Sequence, residues 1–221
     1  MKIVFESQDV VIVHKPAGWL SVPSTMGKKD SRPVVGLQLQ QKMGSVYPVH
    51  RLDYEVEGLL VFARTSKAQV WLHQYWEQRK VKKVYKARTS LQIFLHWPSQ
   101  VAGLETASYQ VGAQGLWESR IVQGKRRSFI ADHGQPSTTQ YHLLDQSAEG
   151  CTWELQPLTG RRHQLRLELS RRGFPIVGDQ LYGSPQTLQG SRIALAATEL
   201  IFQPGLNLEI PERLKIEWGG L

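Results

Sequence analysis

Short apolar runs separated by turn residues dominate the first part of the chain. Residues 3–5 and 10–13 are rich in β-branched side chains and are separated by the polar segment 7–9, which predicts two strands joined by a turn. The run 15–18 (Lys-Pro-Ala-Gly) ends the second strand in a turn. Residues 59–63 (Leu-Leu-Val-Phe-Ala) are continuously apolar and predict a buried strand. The pattern therefore indicates mainly β-structure in this region.

Helical spacing is found in two segments. Ser66 and Gln69 form a capping-box pattern, and the apolar side chains that follow recur every three to four residues, which predicts a helix opening at Ser66. A second helix is predicted over about 163–172, where Leu165 and Leu169 share a face before a glycine and a proline.

The remaining segments favour strands over helices. Residues 138–146 and 151–156 read as alternating strands around Gly150, whereas the Gly- and Gln-rich segment 92–137 has weak periodicity and predicts no element. Strands and helices do not alternate regularly. The predicted fold class is therefore α+β, with a mainly antiparallel mixed sheet and flanking helices and loops. The length of 221 residues suits one large domain or two closely packed lobes, and we expect a single catalytic domain spanning 1–221.

Charge and cysteine content bear on the partner and the compartment. Lys and Arg number 27 and Asp and Glu 19, a net charge of +8 that favours polyanionic partners, although many basic proteins bind none. The one cysteine, Cys151, excludes an intrachain disulfide and fits a reducing compartment. No run approaches the ~20 apolar residues of a membrane span. We expect a soluble cytoplasmic protein with no membrane association.

Several common chemistries lack their motifs. The sequence has no GxxxxGK[ST] phosphate loop, no HExxH, no GxSxG and no cluster of cysteines and histidines with metal-ligand spacing. Nucleotide hydrolysis, zinc chemistry and serine hydrolysis are therefore not indicated.

A carboxylate and a guanidinium lie two residues apart just before the strand predicted at 59–63. Arg51 and Asp53 belong to the run His-Arg-Leu-Asp, and Gly58 follows. In an extended loop the two side chains project to the same side and can serve one site. The same spacing is typical of a surface ion pair without function, which is far commoner. Spacing alone leaves both interpretations open.

Two further groups of basic residues accompany glycine or aromatic residues. Arg161 follows a glycine, and Arg162 and Arg166 lie four positions apart on one face of the second predicted helix, which also fits a solvated basic face. Tyr85 lies in the lysine-rich stretch 80–86. Aromatic rings between lysines are typical of base stacking beside phosphate contacts, although a single tyrosine is more often a core residue.

Four segments, in order along the chain, carry a resemblance to a known family. They are 13–18 (VHKPAG), the HRLD run with Gly58-Leu59-Leu60, 83–87 (KVYKA), and 160–166 (GRRHQLR) continued by 173–179 (GFPIVGD) and Tyr182-Gly183. Together they resemble the motifs of the RluA-type family of RNA pseudouridine synthases. The resemblance covers about residues 3–200, and four ordered motifs are hard to obtain by chance.

The resemblance implies a role for each motif residue. Asp53 is the expected catalytic carboxylate, Arg166 its ion-pair partner, and Tyr85 the ring that stacks on the extruded base. Arg51 resembles the residue that fills the space vacated by that base. Further RNA contacts are expected from Arg161, Lys82 and Lys83 and from the basic loops 23–33 and 79–86.

The implied reaction is the isomerisation of uridine to pseudouridine. The N1–C1′ bond breaks, the uracil rotates and C5 becomes the glycosidic carbon, so neither a cofactor nor a metal is expected. An unperturbed aspartate has a pKa of about 3.9 and is ionised at neutral pH. Three roles stay open for Asp53, namely attack at C1′, attack at C6 and removal of the C2′ proton.

The same resemblance implies a pseudouridine synthase fold and structured RNA as the partner. The expected substrate is a stem-loop of tRNA or large-subunit rRNA bound by a monomer, and no room is expected ahead of residue 3 for an S4-like domain. A non-catalytic RNA-binding or assembly factor with the same fold is the alternative, and an unrelated basic enzyme with a fortuitous HRLD is another. The joint presence of Asp53, Tyr85 and Arg166 argues against the first, and the order of the motifs against the second.

Two departures from the family pattern concern residues near the expected site. Val56 and Glu57 occupy the place of a usual Thr-Ser pair, and Glu168 that of a usual histidine. We expect the first to change how the catalytic loop meets RNA and the second to add negative charge near the site.

Overall fold

The computed structural model describes residues 1–94 and 104–219. Within this part of the chain lie three α-helices: α1 (Val35–Met43), α2 (Ser66–Glu77) and α3 (Gln164–Ser170). The strands described there are β1 (Lys2–Glu6), β2 (Val10–Lys15), β3 (Tyr47–Pro48), β4 (Glu57–Ala63), β5 (Val81–Thr89), β6 (Gln114–Gln123), β7 (Ser128–Ile130), β8 (Gln135–Ser147), β9 (Gly150–Pro157), β10 (Leu195–Phe202) and β11 (Arg213–Lys215). The predicted α+β class with a mostly antiparallel sheet is confirmed. None of the described helices combines the length and apolar character of a membrane span.

The chain forms two compact units, of which the first comprises residues 1–83 and 197–217. Its strands follow the order β1-β2-β4-β10, with β3 on β4 and β11 on β10. Ile12 on β2 lies opposite Val61 on β4, and both are fully buried together with Leu72 of α2. Burial of each such side chain stabilises the fold by about 1.5–3 kcal/mol. This packing fixes the end of β2 and the start of β4, and Arg51 and Asp53 lie between these two points along the chain.

The second unit comprises residues 84–196 and the described residues from 218 onward. Its strands follow the order β5-β9-β8-β6-β7, and each neighbouring pair is antiparallel. The core is aromatic: Trp153 is fully buried, and Trp117 stacks on Tyr141 with ring centroids 4.5 Å apart. Leu167 of α3 is fully buried and packs in a smaller cluster with Ile121 of β6.

The predicted strands are confirmed, and both predicted helices exist. Helix α2 begins at Ser66 as predicted, whereas α3 is shorter at both ends than the predicted 163–172. The predicted capping box of α2 is wrong, because Thr65 is the N-cap and its Oγ1 accepts a hydrogen bond from the Ala68 amide at 3.1 Å. The basic stretch 79–86, predicted as a loop, is mostly strand because β5 begins at Val81.

Helix α1 and strands β6 and β7 have no counterpart in the sequence prediction. Helix α1 follows Val34, which makes no side-chain cap, and carries Gly36 in its first turn, so the usual start signals are missing. Strand β6 is mostly solvent-accessible, and Trp117 and Ile121 are its two buried residues, so its alternation of apolar and polar residues is weak. Residues 95–103 of the unassigned segment lie outside the described residues.

Candidate active site

Asp53 lies in the loop between β3 and β4, and both of its chain neighbours are hydrogen-bonded to the segment that follows β2. The Ser21 hydroxyl donates to the carbonyl oxygen of Leu52 at 2.9 Å and accepts from the Leu52 amide at 3.0 Å. The carbonyl oxygen of Tyr54 accepts from the Gly18 amide at 2.9 Å. The backbone is therefore fixed on either side of Asp53.

A buried ammonium group adds a further link to this loop. Lys15 is fully buried, and its Nζ donates to the carbonyl oxygens of Pro16 (3.0 Å), Trp19 (2.8 Å) and Tyr54 (3.3 Å). Burial lowers the pKa of Lys15 to about 8. The negative charge of Asp53 acts in the opposite direction and raises this pKa, but its effect is smaller than that of burial. Lys15 therefore cross-links the turn after β2 to the Asp53 loop and places a positive charge in the field of the Asp53 carboxylate.

His50 anchors the start of the same loop to strand β4. Its Nε2 accepts a hydrogen bond from the Val61 amide at 3.1 Å, and its ring stacks on Trp76 with centroids 5.1 Å apart. Burial and the positive charge of Lys83 lower the pKa of His50 to about 3. The ring is therefore neutral at neutral pH, as an accepting Nε2 requires.

The residues flanking Asp53 differ in exposure. The Arg51 side chain is exposed, whereas Val56 is only 3% exposed. Of the two residues that depart from the family pattern, Val56 is therefore buried, and Glu57 is half-buried as the first residue of β4. Gly58 has φ 122°, and a Cβ there would lie 2.5 Å from the backbone nitrogen of Ala197, so only glycine fits.

In the second unit, Arg166 forms an ion pair with Asp179, a residue for which the sequence motifs predicted no role of its own. Its Nε lies 2.7 Å from Oδ2 of Asp179 and its second terminal nitrogen 2.8 Å from Oδ1, and both residues are 1% exposed. The guanidinium also lies over the ring of Tyr182, 5.3 Å from its centroid. The predicted partner, Asp53, belongs to the first unit, and that pairing stays a prediction. Asp179 is the last residue of the GFPIVGD segment. Its place in this motif was the feature of the sequence that could have identified it as a site residue.

The side chain of Gln164, the first residue of α3, holds the segment before the helix in place through hydrogen bonds. Its Oε1 accepts from the Thr159 hydroxyl (2.8 Å) and the Arg161 amide (3.0 Å), and its Nε2 donates to the Thr138 carbonyl (3.0 Å) and the Thr139 hydroxyl (2.8 Å). These four bonds use the full capacity of a buried amide. Sequence reasoning missed this role.

The interpretation of Arg162 and Arg166 as neighbours on one helical face is wrong. Helix α3 starts at Gln164, and His163 before it has a left-handed conformation with φ 55°, so Arg162 lies outside the helix. Arg166 is buried rather than solvated. Arg161 is half-buried, and its Nε donates to the Pro136 carbonyl at 2.9 Å.

Tyr85 and the two predicted substrate lysines lie on strand β5. The half-buried Tyr85 is opposite Leu155 of β9. Lys82 is exposed, and burial lowers the pKa of the half-buried Lys83. Because side chains alternate along a strand, Lys82 and Lys83 point to opposite faces, so they do not serve a common phosphate.

Charged side chains near α3 are paired with one another. Glu168 is fully buried and accepts hydrogen bonds from Arg172 and Ser119, and Arg171 lies 3.4 Å away. The expected extra negative charge from Glu168 is therefore neutralised locally. Among the described residues, no three acidic, histidine or cysteine side chains are grouped so as to hold a metal ion.

The basic loop 23–33 is also partly neutralised. The Arg32 Nε lies 2.8 Å from Oδ1 of Asp30 and a terminal nitrogen 2.6 Å from Oδ2, and the hydrogen bond from Arg32 holds the pKa of Asp30 well below its usual range. The Arg32 guanidinium also lies 4.8 Å from the ring centroid of Tyr54. One end of this loop therefore packs beside the Asp53 loop.

Comparisons with known proteins match most of this chain. The sequence pattern of the family described as RNA pseudouridylate synthase matches residues 9–171. The dual-specificity RNA pseudouridine synthase RluA of Vibrio vulnificus is 32% identical over 209 residues, which cover 91% of this chain and 77% of that protein. RluA of Pasteurella multocida is 32% identical over 213 residues, which cover 95% and 90%. The structure of human RNA Pseudouridylate Synthase Domain Containing 4 matches with a TM-score of 0.67 at 24% identity, over 96% of this chain and 86% of its own, a likeness of fold.

Proposed function

Because the chain belongs to the RNA pseudouridylate synthase family, we propose that Asp53 is the carboxylate with which this RNA isomerase converts selected uridines to pseudouridine. The observation that carries the proposal is the double anchoring of its loop, through Ser21 to Leu52 on one side and through Gly18 and Lys15 to Tyr54 on the other. A reacting group must be held to within a fraction of an ångström, and this backbone support supplies that rigidity.

Arg166 is proposed to orient the Asp53 carboxylate. A guanidinium carries five N–H donors in a planar fork, which allows it to serve more than one carboxylate. The bidentate pair with Asp179 fixes the plane of that fork. An oriented donor of this kind keeps a carboxylate charged and fixes its direction.

The reaction is redox-neutral and its atoms balance within the nucleotide. The N1–C1′ bond breaks, a C5–C1′ bond forms, the hydrogen on C5 leaves as a proton, and N1 gains a proton. Asp53 acts in one of three ways, by attack at C1′, by attack at C6 or by removal of the C2′ proton. The base must first leave its stack at a cost of a few kcal/mol. Tyr85 is proposed to offset this by stacking worth about 1–3 kcal/mol, and the exposed Arg51 to fill the vacated space.

The proposed substrates are stem-loops of tRNA or large-subunit rRNA. The choice of these RNAs follows from the family resemblance of the motifs. The name of the Vibrio and Pasteurella relatives, dual-specificity RNA pseudouridine synthase, and the net charge of +8 support an RNA substrate. Arg161, Lys82 and Lys83 are proposed contacts to RNA, with the two lysines serving different phosphates. We further propose that residues 1–221 act as a single catalytic domain, as a cytoplasmic monomer.

Release of the C5 hydrogen tests the proposal. RNA tritiated at uracil C5 should lose label to water with the wild-type protein and with Asp145→Asn, which changes an exposed carboxylate. Asp53→Asn keeps the size of the side chain, so it should bind RNA within a few-fold of wild type and release no tritium. If wild type releases none from any cellular RNA, the protein is a non-catalytic RNA-binding factor. If Asp53→Asn releases it at the normal rate, Asp53 is not the catalytic residue.

A further inference from the structure

A pocket in the second unit lies between the β6–β7 turn and the segment in front of α3. Its volume is about 300 Å³, at the lower end of the range for small-ligand pockets. Its polar lining consists of Gln123, Ser128, His133, Gln135, Arg161 and Arg162. The space suits a group the size of one nucleotide.

Arg162 ties the β6–β7 turn to this pocket. Its guanidinium donates to the carbonyl oxygens of Gly124 (2.8 Å), Lys125 (3.4 Å) and Arg126 (3.2 Å). In return, the Ser128 hydroxyl donates to the Arg162 carbonyl at 2.7 Å. The turn residues Lys125 and Arg126 are therefore held at the edge of the pocket, and their side chains are exposed.

The charge of this region is strongly positive. None of the ten described residues that line the pocket is acidic, and the nearest acid in sequence, Asp132, is exposed and is not among them. The cations that line or border it are Lys125, Arg126, Arg161 and Arg162. A concave surface with charge of one sign concentrates the opposite charge, and arginine and lysine are the usual contacts to phosphate.

We propose that this pocket binds the backbone phosphate and sugar of a nucleotide that flanks the target uridine. The inference rests on the proposed function, because it takes the occupant to be the RNA substrate. Arg162 lies four residues before Arg166, so at most about 14 Å of chain separates the pocket from the proposed catalytic arginine. An RNA strand whose target uridine lies at the site that Arg166 is proposed to support therefore passes the pocket within a few nucleotides.

Removal of the turn charges tests the electrostatic part of the proposal. Lys125→Ala/Arg126→Ala is compared with Lys42→Ala/Lys215→Ala, which removes two exposed charges from the first unit. The probe is fluorescein-labelled unfractionated transfer RNA, titrated between about 50 and 200 mM salt. The turn variant should bind more weakly than the control. Its slope of log K against log[salt] should be shallower by about 0.7 to 0.9 for each phosphate that the variant no longer neutralises.

A substitution inside the pocket tests the location of the phosphate. Gly160 lines the pocket, and a Cβ added there meets no heavy atom within 4 Å, so a side chain can start from this position without a clash at its Cβ. Gly160→Glu and Gly160→Gln have the same size and differ in charge. A carboxylate about 4 Å from a phosphate in water costs about 1 kcal/mol, so the Glu variant should bind the RNA about fivefold more weakly than the Gln variant.

Failure of this inference is distinguishable from failure of the proposed function. Tritium release by the wild-type protein tests the reaction, whereas the two comparisons of variants test only binding. Equal salt slopes for the turn variant and its control, or equal affinities of the Glu and Gln variants, overturn the pocket assignment even when wild type releases tritium. A shallower salt slope for the turn variant together with weaker RNA binding by the Glu variant supports it.

Discussion

Asp179 holds Arg166 in a two-pronged ion pair whose side chains are both 1% exposed, with N–O distances of 2.7 and 2.8 Å. Such a pair contributes little net stability by itself, because both charges lose their hydration, but removal of one partner leaves an uncompensated charge. Asp179 is thus proposed as a positioning residue, which sets the plane of the guanidinium without touching the uridine.

Replacement of Asp179 by asparagine should therefore lower both stability and turnover. The variant leaves Arg166 buried with a neutral partner, and the loss expected for such a broken pair is about 3–5 kcal/mol. Urea denaturation and tritium release measure the two effects. Asp132→Asn, at an exposed carboxylate of the same unit, is the control. Wild-type stability and turnover in Asp179→Asn would contradict the assignment.

Replacement of Arg166 by lysine separates charge from geometry. Lysine keeps the positive charge but loses the planar fork that binds two carboxylate oxygens at once. We expect kcat to fall at least about a hundredfold at saturating RNA, in line with the loss of an oriented charge-assisted contact. Turnover equal to that of wild type would show that the two-pronged geometry is not needed.

Tyr85 should act through its ring, its hydroxyl or both, and two substitutions distinguish these roles. Tyr85→Phe keeps the π-face, whereas Tyr85→Leu loses it and with it about 1–3 kcal/mol of stacking. Phe and Leu variants of equal activity would refute stacking. A Phe variant that binds RNA without turnover would assign the hydroxyl to proton transfer at C5.

Lys15 should make stability depend on pH in the alkaline range. Its pKa of about 8 in the folded protein lies below the ordinary value of 10.5, so the unfolded chain binds more protons between these values. Relative to Lys15→Met, the free energy of unfolding should rise from pH 8 to about pH 10.5, by up to about 3 kcal/mol. The same contribution is lost as the pH falls from about 10.5 to 8. Parallel stability curves for the two proteins, measured by urea denaturation, would contradict the burial of a charged Lys15.

We expect His50 to have a structural role and to make no contribution to the pH dependence of the reaction rate. With a pKa of about 3 it has no titration between pH 5 and 8. His50→Phe keeps the stacking on Trp76 but leaves the Val61 amide without an acceptor, which costs about 1–3 kcal/mol. We expect a lower urea midpoint with an unshifted pH profile, and His73→Phe is the matched control. A pH limb that vanishes in His50→Phe would assign proton transfer to His50 instead.

The parts of the fold that can be predicted from the sequence are those with strong local signals. The apolar run of β4 and the β-branched runs of β1 and β2 predict strands correctly, and β2 and β4 are almost entirely buried, whereas β1 is half-buried or exposed. Helix α1 lacks a capping side chain, and it becomes a helix through tertiary contacts such as the Gly36 amide donating to the Ser21 carbonyl. Such contacts between distant residues leave no periodic pattern.

The residues of the candidate site likewise divide into those with a local signal in the sequence and those without one. Asp53 and Arg166 are found through their motifs, because the chemistry restricts their type and their neighbours. The supporting residues Ser21, Gln164 and Asp179 act through geometry, and a serine, a glutamine or an aspartate at those positions has no distinctive spacing. Their roles follow only from the hydrogen bonds in the structure.

The link between Ser21 and Leu52 joins positions 31 residues apart, and that between Lys15 and Tyr54 spans 39. Contacts between such distant positions require a long loop to close, which costs conformational entropy. We therefore expect them to form slowly during folding. The Asp53 loop should therefore order late, after β2 and β4 have paired. During synthesis, a chain that has not yet docked these strands carries every residue of the HRLD motif and is still inactive.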